Sequence, residues 1–232
     1  MAQENMSQEK WTAVDRYLND LFVPDDPALE AALEASTAAG LPPISVTPNQ
    51  GKLLQLLAQI SGARTILEIG TLGAYSTIWL ARALPPGGRL ITLEAAPKHA
   101  AVARANIARA GLDTIVELRL GPALETLPQL ASEIPGPLIP GPFDLIFIDA
   151  DKPSYLEYFA WAMKLTHPGS LIVADNVVRD GELINANSSD PAVRGMRRFC
   201  EAVAAEPRVT TTAIQTVGSK GYDGFAVSLV TA

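Results

Sequence analysis

A single cysteine, Cys200, stands in the 232 residues, which excludes an intrachain disulfide and cannot by itself build a structural zinc site. It falls on the apolar stripe Val193, Met196, Cys200, Val203 of an expected helix and reads as a core thiol. No apolar run approaches the roughly 20 residues that cross a bilayer. Met1-Ala2-Gln3-Glu4-Asn5 also lacks the basic start and apolar stretch of a secretory leader. A cytoplasmic protein without a membrane partner is therefore expected. Cationic excess is missing as well: the formal charge is −7, with no general basic face to neutralise phosphates, so nucleic acid is a disfavoured partner. No internal repeat is present.

What is present is ordinary globular material, 48% apolar and 19% charged, in a length that buries a substantial core. The first third reads as helices. Asp26-Pro27 starts one that Gly40 ends, and Thr47-Pro48-Asn49-Gln50 is a capping box leading into Leu53, Leu54, Leu57 and Ile60 before Gly62. From Arg64 short β-type runs at 64–69, 89–94, 115–120, 143–149 and 169–174 alternate with helical stretches near 75–84, 97–110, 122–133 and 153–165. A helix near 190–205 follows. Arg208 to Gln215 and Gly224 to Val230 are then joined too closely for a crossover helix.

The expected fold is α/β: a Rossmann-like, doubly wound, mostly parallel seven-stranded sheet with an antiparallel C-terminal strand, preceded by N-terminal helices. One domain is expected over 1–232, with a helical segment 1–45 and a cofactor-binding and catalytic core 46–232. Residues 134–142, Ile-Pro-Gly-Pro-Leu-Ile-Pro-Gly-Pro, read as a surface loop, with an interdomain linker as the alternative.

Strand 64–69 runs into Gly70-Thr71-Leu72-Gly73-Ala74-Tyr75-Ser76, a turn that lets a ligand approach the backbone. Glu94, ending the next strand, can accept hydrogen bonds from the hydroxyls of an adenosine ribose. A structural turn with a solvated glutamate would look the same at this level. Glu68 separates two cofactors: a carboxylate beside the ligand repels a pyrophosphate and suits a sulfonium, which favours S-adenosylmethionine over NAD. The turn also lacks a full Gly-x-Gly-x-x-Gly.

Asp149 ends the fourth strand and Asp175-Asn176 follows the fifth, so all three emerge at the carboxyl edge of neighbouring strands. They offer hard oxygen donors and neither sulfur nor imidazole, the set for Mg²⁺ first, then Ca²⁺ or Mn²⁺. The alternative is that the two aspartates cap the helices that follow them.

Val46-Thr47-Pro48-Asn49-Gln50-Gly51, Glu68-Ile69-Gly70-Thr71, Tyr75-Ser76, Gly121-Pro122-Ala123-Leu124, Phe147-Ile148-Asp149-Ala150-Asp151-Lys152 and Ala174-Asp175-Asn176 together resemble the cation-dependent class I O-methyltransferases, the catechol and caffeoyl-coenzyme A type. The resemblance covers residues 44 to 230. It implies S-adenosylmethionine held by Val46, Glu68, Gly70, Thr71, Ser76, Glu94, Ala123 and Asp149. It further implies a divalent cation on Asp149, Asp175 and Asn176, and Lys152 as general base, a solvated lysine being the alternative. A free lysine is mostly protonated near neutral pH and a neighbouring divalent cation disfavours that form, so metal and lysine belong to one mechanism.

The implied reaction is methyl transfer to a hydroxyl of a small phenolic acceptor, a vicinal diphenol, by a homodimer. Two departures stand out. The family carries glycine where this chain has Ala74, with Gly73 before it, so a shifted glycine is expected. Asp180 replaces an asparagine that plant members use for substrate, so the resemblance does not extend to a coenzyme A thioester. The competing functions are methylation of a hydroxylated nucleoside in RNA by the same fold, with Arg194, Arg197 and Arg198 as the basic cluster, a nicotinamide-dependent dehydrogenase, and a nucleotide-binding module without catalysis.

Overall fold

The computed structural model describes residues 2–136 and 141–232, with side chains from Ser7 onward. Three helices precede the sheet: α1 (Ala2–Phe22), α2 (Pro27–Ala38) and α3 (Pro48–Ile60). The caps expected from sequence form. Asp26 Oδ1 accepts from the amides of Ala28 and Leu29 at 3.0 and 3.4 Å, and Thr47 Oγ1 accepts from Gln50 N at 3.3 Å.

Then β1 (Thr65–Ile69), α4 (Tyr75–Ala81), β2 (Arg89–Glu94), α5 (Pro97–Arg109), β3 (Val116–Leu120), α6 (Ala123–Ser132), β4 (Phe143–Ile148), α7 (Tyr155–Leu165) and β5 (Thr166–Asp175) alternate. The chain ends with α8 (Pro191–Ala205), β6 (Val209–Gly218) and β7 (Gly221–Val230).

The sheet order is β3-β2-β1-β4-β5-β7-β6, with β7 antiparallel to both neighbours and β1 to β5 parallel. This is the expected fold class. The final hairpin is tighter than the sequence suggested, because pairing runs to Gly218↔Gly221 and leaves Ser219-Lys220 as the turn. Segment 134–142 connects α6 to β4 within this one sheet, and its residues 137–140 lie outside the described residues.

Alternation along the strands divides the core into two layers. Leu67, Ile69, Ile91, Leu93, Ile146 and Ile148 pack with α6, α7 and α8, whereas Ile66, Leu90, Leu145 and Phe147 pack with α3, α4 and α5. Cys200 is half-buried against the first layer, as its stripe implied. Burying both faces is what makes the parallel strands near-continuous apolar runs. It also leaves their carboxyl ends as the place where polar side chains gather. The order reverses between β1 and β4, and at such a reversal the loops diverge and open a crevice.

Candidate active site

At that crevice Gly70 follows β1 and Asp149 follows β4. Gly70 has φ +100°, and a Cβ there would lie 2.0 Å from the Asp149 carbonyl oxygen, so only glycine fits. Leu72 and Ala74 also take positive φ, 50° and 68°, and Ala74 caps α4. The expected shift of glycine has a steric cause. A Cβ on Gly73 would meet Ser36 Oγ of α2 at 2.0 Å. The buried Asn106 of α5 donates to the carbonyls of Gly73 (2.9 Å) and Ala32 (3.3 Å), drawing α2 onto the turn. Glycine is needed at 73 for close approach, and Ala74 is left to adopt the left-handed backbone.

Glu68 does not face the ligand space. Residues 66 and 68 share the α4 side of β1, and the fully buried carboxylate accepts from Ser76 Oγ (2.6 Å), Thr77 Oγ1 (2.5 Å) and Thr92 Oγ1 (2.7 Å). Thr71 Oγ1 in turn lies 2.5 Å from Thr92 Oγ1. Burial pushes the Glu68 carboxyl up to about 7, its three hydroxyl donors pull it back, and the charge of Asp149 adds to the rise. The sequence argument aimed this carboxylate at a sulfonium. The geometry instead makes it a tie between β1, β2 and α4 beneath the turn.

A cavity of about 500 Å³ opens above. Val46, Gly70, Thr71, Ser76, Glu94, Ala123 and Asp149 line it, every residue expected at the cofactor except Glu68. Glu94 is oriented by accepting from the amides of Leu72 (2.8 Å) and Ala96 (2.9 Å), and His99 Nδ1 stands 3.4 Å from it. His99 lines the same cavity, and no motif in the sequence singled it out.

A second cavity of about 410 Å³ adjoins the first, sharing Ile44, Ser45, Val46 and Asn176 and adding Asp175 and Gln50. Asp175 is 5% exposed, and its carboxyl is raised by burial and then by the like charge of Asp149. Gln50 lowers the Asp175 carboxyl against the effect of burial, so its side chain serves the site as well as standing at the third position of the helix start. Among the described residues no three His, Cys, Asp or Glu side chains cluster as a metal site. The candidate set is two carboxylates in each other's field and one amide, hard oxygens with excess negative charge, and this fits a hard divalent cation.

Lys152 Nζ donates to Asp149 Oδ1 at 3.0 Å and to Tyr155 Oη at 2.8 Å. Tyr155 is fully buried, and its single hydroxyl proton is shared between the carbonyls of Ile148 and Asp175, both at 3.1 Å, so it ties the lysine to the ends of β4 and β5. Burial and the charges of Asp149 and Asp175 push its phenol well up, so it stays protonated. Asp151 accepts from Tyr158 Oη and Ser154 Oγ, both at 2.5 Å, and is thereby committed to local structure. Gly195 of α8 was not visible as functional. A Cβ there would lie 2.3 Å from the Lys152 carbonyl oxygen, so α8 seats the lysine segment directly.

A doubly wound sheet closed by an antiparallel hairpin, with its cavity at the strand-order reversal, is the Rossmann-like methyltransferase architecture. The O-methyltransferase family model matches residues 21–224. A catechol O-methyltransferase of Niastella koreensis is 56% identical over 225 residues, covering 97% of this chain and 100% of that protein. The O-methyltransferase of Bacillus cereus in complex with SAH superimposes with a TM-score of 0.93 at 58% identity, covering 96% of this chain and 99% of that one. TomG of Streptomyces achromogenes, in complex with SAM, gives 0.92 at 50% identity, covering 97% and 99%. The chain belongs to the O-methyltransferase family and is an S-adenosylmethionine-dependent O-methyltransferase.

Proposed function

We propose that the protein transfers the methyl group of S-adenosylmethionine to a hydroxyl of a small vicinal diphenol in a reaction that depends on a divalent cation. The observation that carries this reading is the cluster of Lys152, Asp149, Asp175 and Asn176 where the two cavities adjoin. The catechol O-methyltransferase from Niastella koreensis supports the acceptor class. Val46, Gly70, Thr71, Ser76, Glu94, Ala123 and Asp149 hold the cofactor in this proposal, and Glu68 acts by fixing their turn.

Asp149, Asp175 and Asn176 would hold the cation, Mg²⁺ by first choice and Ca²⁺ or Mn²⁺ by the same donors. When bound it supplies a Lewis acid next to the acceptor hydroxyl. Lys152 takes the hydroxyl proton at Nζ, held in place by Asp149 Oδ1 and Tyr155 Oη. The acceptor oxygen then forms its bond to the methyl carbon as the carbon–sulfur bond breaks, and the electron pair returns to sulfur. Two opposite charges vanish in this step, so the apolar walls of Ile69 and Leu93 around the cavity favour it.

The test is methyl transfer to a panel of catechols with and without chelator, for the wild type and Asp149→Ala. Loss of activity on the order of a hundredfold or more is expected in both cases. Full activity in either would overturn the metal mechanism.

The proposal includes a homodimer in the cytoplasm. β6 is a sheet edge exposed along most of its length, with Ile214 and Val217 both 50% exposed, and α1 beside it exposes Tyr17 and Phe22, both 65%. Such an edge with apolar neighbours is the kind a second chain covers. The RNA reading gains no support from the arginine cluster, because Arg197 donates to the Leu183 carbonyl and Arg198 to that of Pro153.

A further inference from the structure

The segment after β5 carries a cation that the proposed mechanism does not use. The chain turns through Asn176 (φ 56°), Arg179 (56°) and Asp180 (54°), three non-glycine residues in the left-handed region. The turn is pinned by Asp223 of β7, whose Oδ1 accepts from the amides of Val178 (2.9 Å), Arg179 (3.0 Å) and Gly224 (2.9 Å). Disfavoured backbone that is over-determined in this way is found where the direction of a side chain matters. Arg179 lines the large cavity together with Lys152, Asn176 and Tyr158.

Its Nε is buried and has no hydrogen-bond partner among the described residues. A buried donor left unmade is costly, more so on a charged group, and the place of Arg179 in the cavity wall lets an acceptor from outside the chain meet its guanidinium. Among the acids of this cavity and turn, three have other partners. Asp151 accepts from Tyr158 and Ser154, Asp223 Oδ1 from three backbone amides, and Asp149 from Lys152. Lys220, a further cation of the site, lines the adjoining cavity, where burial lowers its pKa against the opposing pull of Asp149 and Asp175. The Arg179 fork has no carboxylate partner among the described residues.

We infer, on the reading that the acceptor is a vicinal diphenol, that Arg179 is a specificity-determining residue that holds a carboxylate carried by the acceptor. The preferred acceptors are then acidic catechols. A planar guanidinium fork matches a planar carboxylate through parallel N–H···O bonds, which selects the group and also sets its orientation. With the acid held, one ring hydroxyl is presented to Lys152 in preference to the other, so the same contact governs which oxygen is methylated.

The experiment compares 3,4-dihydroxybenzoate, its methyl ester and catechol as acceptors at saturating S-adenosylmethionine, for wild type, Arg179→Met and Arg179→Lys. Wild type is expected to prefer the acid over the ester by about tenfold or more in kcat/KM and to give one monomethyl isomer in excess. In Arg179→Met the acid-to-ester ratio collapses towards one and the isomers approach equality, the ester changes by less than about threefold, and Arg179→Lys recovers part of the preference.

The Kd for S-adenosylhomocysteine stays unchanged in both variants. An acid-to-ester ratio near one in wild type, or one unmoved in Arg179→Met, overturns the inference. So does a parallel fall for acid and ester, which marks a structural role, or a roughly tenfold rise in the S-adenosylhomocysteine Kd, which assigns the fork to the cofactor's own carboxylate. If wild type methylates catechol and ester normally, the diphenol reading stands whatever Arg179 does. If it methylates none of the three, that reading falls and takes this inference with it.

Discussion

Replacing Glu68 by glutamine keeps the shape of the side chain and removes its titration. In the folded protein the carboxyl is raised from 4.5 to about 7 by burial and the charge of Asp149, against the pull of Ser76, Thr77 and Thr92. A raised carboxyl pKa means that the folded state prefers the protonated form. Its contribution to stability is full below the unfolded value and is lost as pH rises through the folded one. That interval corresponds to about 3 kcal/mol.

The assay is urea unfolding of cofactor-free wild type and Glu68→Gln at about pH 4.5, 6 and 8.5. Asp175 is raised as well, but both proteins share it and it cancels in the difference. The stability of Glu68→Gln relative to wild type should improve by about 3 kcal/mol between the lowest and highest pH. Parallel curves would refute the assignment of Glu68 as a carboxyl whose burial outweighs its three hydroxyl donors.

Lys152→Met should lower kcat by about a hundredfold to ten-thousandfold with the Kd for S-adenosylmethionine little changed, read by steady-state kinetics and calorimetry, because it removes a proton acceptor and leaves in place the residues proposed to hold the cofactor. At the turn, Gly73→Ala drives a methyl into Ser36 and should cost about 1–3 kcal/mol in thermal or urea unfolding. Ala74→Gly should stay within about 1 kcal/mol of wild type, since relief of the left-handed backbone offsets a lost buried methyl and a freer unfolded chain. Gly195→Ala presses on the Lys152 carbonyl and should reduce kcat more than it weakens cofactor binding, a difference that activity and calorimetry measure together.

Much of the site was legible because strand ends are legible. Apolar runs that stop at Glu68, Glu94, Asp149 and Asp175 mark the carboxyl edge of a parallel sheet, and polar residues at such ends lie near one another in any sheet of this order. Spacing alone could not tell a carboxylate beside the cavity from one beneath it. The signal was available in part: Glu68 alternates with Ile66, and Ile66 belongs to the layer under α4. That α4 carries Ser76 and Thr77 at the height where they reach Glu68 depends on how the helix docks. Gln50 was legible as a helix start, but its influence on Asp175 links α3 to β5 across more than half the chain.

The sequence by itself determined the alternation of strands and helices, the hairpin at the end, the chemistry of the donors and the place of the turn at residues 70–76. These follow from local periodicity, breakers and residue type, which act over a few positions. Only the tertiary structure decided that Glu68 braces the turn from below and that Gly73 is glycine because α2 lies on it. Only it decided that Gly195 admits α8 to Lys152 and that Arg179 Nε is left without an acceptor among the described residues. Each of those depends on the approach of elements far apart in the chain, where fractions of an ångström decide whether an atom fits, clashes or finds a partner, and no local pattern encodes such distances.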